Sequence, residues 1–151
     1  MPTFDLAVRG IALIPIELRL AQGDKAPERP AYWPRPPFRP IAMIDTGTTR
    51  TFIDRELLEF LGAPLLCEVP AGHIRGRSVA TRMFRVGISV LGVSFDPLEV
   101  YEDEFPSEGA GQPPLFQLVI GTEILSRFRF VYDGPEKKFS LDLPGHEQPP
   151  R

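Results

Sequence analysis

The chain predicts an all-β domain with one or two short helices. Three observations carry that prediction. Apolar residues alternate with other residues over several short stretches, which is the period of a half-buried strand. Two apolar runs, Ile41–Ile44 and Leu115–Ile120, each stop at a turn and read as strands buried on both faces. Helical signals are confined to two short stretches, 54–62 and 122–127. A length of 151 residues favours one domain spanning 1–151.

Phe4, Leu6 and Val8 alternate, Arg9-Gly10 offers a turn, and Ile14, Ile16, Leu18 and Leu20 alternate again. This predicts a β-hairpin with Glu17 and Arg19 on its outer face. Residues 21–40 hold Pro27, Pro30, Pro34, Pro36, Pro37 and Pro40 and read as an extended loop, because proline lacks the donor a strand ladder needs. Tyr32, Trp33 and Phe38 are interleaved there with Arg29, Arg35 and Arg39. Either the segment docks or rims a groove, or its aromatics pack back on the body of the domain. Asp54 caps a helix whose apolar face is Leu57, Leu58 and Leu61, and Gly62 with Pro64 ends it.

A long hairpin follows over 69–90, with glycines at its tip and a clean alternation of Phe84, Val86, Ile88 and Val90 on its return strand. Arg75, Arg77, Arg82 and Arg85 make it basic, either as a solvated face or as a preference for acidic substrates. Leu91-Gly92 turns the chain, Asp96-Pro97 interrupts the next strand, and 102–114 reads as a solvated acidic loop. Thr122 is placed to cap the second helix. Strands at 128–132 and 139–143 flank the turn Asp133-Gly134-Pro135, and 144–151 reads as a frayed tail.

Composition excludes several functions. A net charge of −3 gives no basic field for nucleic acid. Cys67 is alone, so no internal disulfide forms, and Leu65-Leu66 beside it suggest a packed thiol in a reducing compartment. The first residues carry no secretory pattern and no run of 18 apolar residues exists, so the expectation is a cytoplasmic protein without a membrane partner. One cysteine and two separated histidines do not make a zinc site. Phosphate-loop and dinucleotide motifs are missing, and no serine has an elbow context. No metal and no cofactor is expected.

Carboxylate chemistry remains, and it centres on Ile44-Asp45-Thr46-Gly47-Thr48-Thr49. An acid at the end of a buried strand needs hydrogen bonds or a second ionisable group. This stretch resembles the active-site loop of retroviral-type (retropepsin-like) aspartic proteases, and Thr51-Phe52-Ile53 returns to an apolar strand as their loop does. A second element of that family, apolar residues followed by glycine and a short helix, is Leu118-Val119-Ile120-Gly121-Thr122-Glu123-Ile124-Leu125, whose Gly121 stands 76 residues after Asp45.

The resemblance covers about 8–143 outside the proline-rich loop. It implies a closed β-barrel with one lobe per chain and an aspartic endopeptidase acting on a peptide or protein as a homodimer. Asp45 would be catalytic, with Thr46, Gly47 and Thr48 supporting the loop and Ile120, Gly121 and Thr122 supporting it from the second motif. The hairpin over about 69–86 would be the flap, meeting substrate through Gly72, His73, Ile74, Arg75 and Gly76. Many relatives place an arginine directly after the second glycine to brace the dimer against an acid in the loop. Here Thr122 and Glu123 stand there and the loop offers Arg50. A reversed pair, Arg50 with Glu123, is one reading, and two exposed side chains are the other. Two further readings of the whole chain are a peptide- or partner-binding module of the same fold without catalysis, and a structural β domain.

Overall fold

The computed structural model describes residues 2–74, 77–107 and 109–145, with side chains outside 70–79. Among the described residues, eleven strands and two short α-helices run in the order β1 (Thr3–Asp5), β2 (Leu13–Pro15), β3 (Glu17–Arg19), β4 (Ile41–Ile44), β5 (Phe52–Asp54), α1 (Arg55–Leu61), β6 (Leu65–Ile74), β7 (Arg77–Val90), β8 (Val93–Asp103), β9 (Leu118–Ile120), α2 (Thr122–Leu125), β10 (Arg129–Asp133) and β11 (Lys138–Asp142). The predicted class, mostly β with two short helices, is the observed one. No helix among the described residues is long and apolar enough to cross a membrane.

Eight strands form one sheet in the order β2-β4-β9-β5-β8-β7-β3, with β6 paired to β7 outside that path. The two ends of the order, β2 and β3, are one stretch of chain broken only at Ile16. Its first half pairs with β4 and its second with β7, so a single segment brings the two sides of the sheet together into a nearly closed barrel. Ile14, Leu18, Ile53, Val86, Ile88, Leu118 and Ile120 fill the interior. Each such side chain contributes roughly 1.5–3 kcal/mol by leaving water. A separate three-stranded sheet, β1-β11-β10, packs Phe139 and Leu141 into the molecule.

The helix α1 forms as its sequence dictates. Asp54 Oδ1 accepts the amides of Glu56 at 3.0 Å and Leu57 at 3.4 Å, and Gly62 ends the helix in the left-handed region at φ 70°. The proline-rich loop closes over that end. The Arg29 guanidinium donates to the Phe60 and Leu61 carbonyls at 2.8 and 3.0 Å, and Trp33 meets Phe60 edge-on at 5.1 Å. The loop thus packs back on the domain, while Tyr32 stays exposed.

Several expectations are corrected. Residues 4–20 are not a hairpin: β1 pairs with the C-terminal β11, because the tight turn at Val8–Gly10 diverts the chain between sheets. Strand β8 runs on through Asp96-Pro97, and a bulge in β8 at that point absorbs the irregularity: Phe95 and Leu98, three residues apart, pair with Ile88 and Val86, two apart. It also continues to Asp103, which shortens the acidic loop, whereas β9 is shorter than the predicted strand at 115–120. Cys67 is exposed, on a strand that lies off the main path of the sheet and pairs with β7. Glu102 is buried rather than solvated. Its carboxylate takes two bonds from Arg82 at 2.8 and 2.7 Å, and Arg85 likewise grips Asp24 at 3.0 and 2.8 Å. Two of the arginines read as free charges are therefore structural clamps.

Candidate active site

Strands β4 and β5 do not pair with each other. They flank β9, β4 in parallel and β5 antiparallel. The loop joining them, residues 45–51, must therefore wrap around the C-terminal end of β9, where Gly121 sits. A Cβ on Gly121 would lie 2.5 Å from the Arg50 carbonyl oxygen and 2.8 Å from the Thr49 carbonyl carbon. Only a glycine lets the two backbones cross so closely.

The crossing is hydrogen-bonded. The amides of Thr122 and Glu123 donate to the carbonyls of Thr48 and Thr49 at 2.8 and 3.1 Å, and the Asp45 amide donates to the Ile120 carbonyl at 3.1 Å. Free amides in the first turn of α2 are thus satisfied by the Asp45 loop. Thr122 is the first helical residue, not the cap, a position held by Gly121 without a side-chain bond. Its contribution is the backbone amide. The Thr48 hydroxyl makes a long contact to the Arg50 carbonyl at 3.4 Å.

Asp45 stands where β4 ends, and its Oδ1 accepts the Gly47 amide at 2.8 Å. A Cβ on Gly47 would come within 3.1 Å of that oxygen, so the glycine leaves the carboxylate room to fold back on its own loop. Asp45 is partly buried, while Thr46 and Gly47 are exposed. Asp45 and Thr46 border an open pocket of 480 Å³ whose other walls include Met43, Phe130 and Tyr132. Such an arrangement presents one fixed carboxylate to solvent with one oxygen uncommitted by the Gly47 bond.

Glu123 ties the far end of the loop. Its Oε1 accepts the Thr51 amide at 2.7 Å and its Oε2 meets the Arg50 guanidinium at 3.4 Å. The reversed pair is therefore present, within one chain. The Thr51 bond is the stronger part, because it is short, charge-assisted and partly buried, whereas the Arg50 pair is half-exposed and contributes little.

Among the predicted site residues, Asp45, Thr46, Gly47, Thr48, Ile120, Gly121 and Thr122 are brought together. Gly72, His73 and Ile74 lie on β6, opposite Val79, Ser78 and Arg77 of β7, and Arg75 and Gly76 lie outside the described residues. Sequence reasoning missed Phe130 and Tyr132 beside Asp45, since nothing in an alternating strand tells which pocket its face meets. It also missed the buried hydroxyl of Thr51, which has no hydrogen-bond partner among the described residues. No group of three His, Cys, Asp or Glu among the described residues is placed to hold a metal.

No protein-family model and no curated protein matches the chain. Solved structures do. A retropepsin-like aspartic protease from Rickettsia conorii aligns over 93% of this chain and 88% of its own with a TM-score of 0.57 at 14% identity. EIAV protease in complex with the inhibitor HBY-793 aligns over 82% of this chain and 92% of its own with a TM-score of 0.51 at 12% identity. The chain has the retropepsin-like fold, with one lobe per chain.

Proposed function

We propose that this protein is an aspartic endopeptidase working as a homodimer, with Asp45 of each subunit supplying one of two carboxylates that activate a water. The observation that carries this reading is the mounting of Asp45. The acid ends β4, is oriented by the Gly47 amide, and sits on a loop fastened to Gly121 and α2 inside a retropepsin-like fold.

In this reading the second carboxylate comes from a second copy, since the chain holds one Asp-Thr-Gly loop. Asp24 is engaged with Arg85, Asp96 with Arg19, and Asp54 with the start of α1. A twofold axis beside Asp45 would face it with its own twin. The exposed Thr46 and Gly47 fit a surface that a partner covers, with Thr46 bonding across the axis. Two carboxyl groups about 3 Å apart do not both ionise readily, so the pair holds one proton. The ionised member takes a proton from water as its oxygen attacks the scissile carbon. The protonated member donates to the carbonyl oxygen, and collapse of the tetrahedral diol expels the amine, which leaves with a proton. The resemblance assigns Gly72, His73, Ile74, Arg75 and Gly76 to the substrate side as a flap.

The test is cleavage of an unstructured protein at mildly acidic pH. Asp45→Asn should lower the rate by roughly 10²–10⁴-fold. A peptide with a tetrahedral hydroxyl in place of the scissile carbonyl should inhibit, because a paired-carboxylate site prefers that shape. Peptide binding without cleavage, unchanged by Asp45→Asn, would favour the binding-module reading instead.

A further inference from the structure

The proline-rich loop between β3 and β4 is fastened to the domain at several points. Asp24 is gripped by Arg85 of β7, and the Gln22 amide donates to Asp96 Oδ1 at 2.9 Å. The Arg29 guanidinium spans the Phe60, Leu61 and Pro34 carbonyls at 2.8, 3.0 and 3.4 Å. The Trp33 amide donates to the Pro30 carbonyl at 3.1 Å, closing a tight turn with Ala31 and Tyr32 at its corners. Phe38 exchanges two backbone bonds of 2.8 Å with Leu18 of β3. A segment held in this way has little conformational freedom left to lose when something binds to it.

Its outer side carries an aromatic ring and unpaired charge. Tyr32 stands on the corner of the turn with 86% of its surface exposed, while its neighbour Trp33 packs against Phe60. A tyrosine on a rigid turn is the kind of anchor enriched where interfaces are strongest. Lys25, Arg29, Arg35 and Arg39 against Asp24 and Glu28 leave the loop two positive charges in surplus, in a chain whose total is −3. Arg29 and Asp24 are engaged in the anchors. Lys25, Arg35 and Arg39 are exposed and take no ion pair or side-chain hydrogen bond among the described residues. The surface is separate from the Asp45 pocket. The loop re-enters the sheet at Ile41, and Asp45 follows the far end of β4, roughly 13 Å away at about 3.3 Å per residue.

We propose that the outer side of this loop, Tyr32 with Arg35 and Arg39, docks an acidic, extended segment of another protein. Carboxylates of that segment meet the two guanidinium groups, whose planar fork suits them, and an apolar side chain lies on the Tyr32 ring. Pro34, Pro36 and Pro37 have no backbone donor, so side chains make the contact and no strand is added.

Trp33 is the chain's single tryptophan and adjoins Tyr32, so its fluorescence reports occupation of the surface. The probe is a short unstructured peptide of Asp, Glu, Gly and Ser with one central leucine. The same peptide with lysine for each acid and a single-stranded oligothymidine are the comparisons. Wild type should bind the acidic peptide at least about tenfold more tightly than the lysine peptide, and added salt should weaken it. Tyr32→Ala, and Arg35→Glu with Arg39→Glu, should each weaken binding about tenfold or more, read by anisotropy of the labelled peptide. Arg127→Glu with Arg129→Glu changes the net charge equally at exposed positions outside the loop and should bind as wild type does. Far-ultraviolet circular dichroism checks that each variant is folded. An acidic peptide that does not bind, loop variants that bind it as wild type does, or oligothymidine bound more tightly than the acidic peptide would each overturn the proposal. None of these outcomes bears on the protease reading, because Asp45 takes no part in the docking.

Discussion

The Glu123 carboxylate accepts the Thr51 backbone amide at 2.7 Å, joining the first turn of α2 to the end of the loop that carries Asp45. Thr51 is fully buried, so its amide has no water to fall back on. Glu123→Ala should therefore destabilise the protein by about 1–3 kcal/mol. Glu123→Gln keeps an acceptor oxygen and should cost less than about 1 kcal/mol. Urea unfolding of the two variants checks the difference. Equal losses would mean that charge, and not the bond to Thr51, matters.

The hydroxyl of the same threonine points the other way energetically. It is buried and has no partner among the described residues. Thr51→Val keeps the shape and removes a group that has given up its water. The variant should be as stable as wild type or more stable by about 1 kcal/mol. A clear loss of stability on urea titration would show that the hydroxyl is satisfied in solution.

Gly121 is where the Asp45 loop crosses β9. Gly121→Ala drives a methyl group into the backbone of Thr49 and Arg50, which cannot rotate away as a side chain could. The cost should be about 1–3 kcal/mol or more. The displaced loop should also reduce peptide hydrolysis in whatever fraction stays folded. Thermal melts with cleavage assays below the melting temperature measure both effects.

Glu102 contributes to the resistance of the fold to acid. The bidentate bond from Arg82 holds its carboxyl below the ordinary value of 4.5, against a smaller opposing effect of burial, and the charge of Arg55 adds to the lowering. The folded value is the depressed one. This contribution to stability is therefore complete above about pH 4.5 and is lost as pH falls through the lower folded value. Urea midpoints for wild type should drop as pH falls below the ordinary carboxylate range. Glu102→Gln should start lower at neutral pH and decline less over that window. Parallel pH profiles for the two proteins would contradict the assignment.

Much of this was legible in the sequence where physics is local. The Asp54 cap, the Gly62 stop and the alternation from Phe84 to Val90 each depend on neighbours in the chain, and all appear as expected. The loop around Asp45 and the glycine at 121 were legible through resemblance to a known arrangement. What the sequence hid was pairing at a distance. Leu13–Arg19 serves two sheet neighbours at once, and β1 crosses to the C-terminal strands, neither of which a periodicity of two can reveal. Charge patterns misled for the same reason. Arg82 and Glu102 looked like members of solvated runs until β7 and β8 brought them face to face.

The most direct measurement of the central claim is a titration of wild type with Asp45→Asn at fixed total protein, reading cleavage of an unstructured substrate. If each active unit needs one Asp45 from each of two chains, activity falls with the square of the wild-type fraction, to about a quarter at an equal mixture. A linear fall, to about a half at the same point, would mean that each chain works alone and would contradict the account.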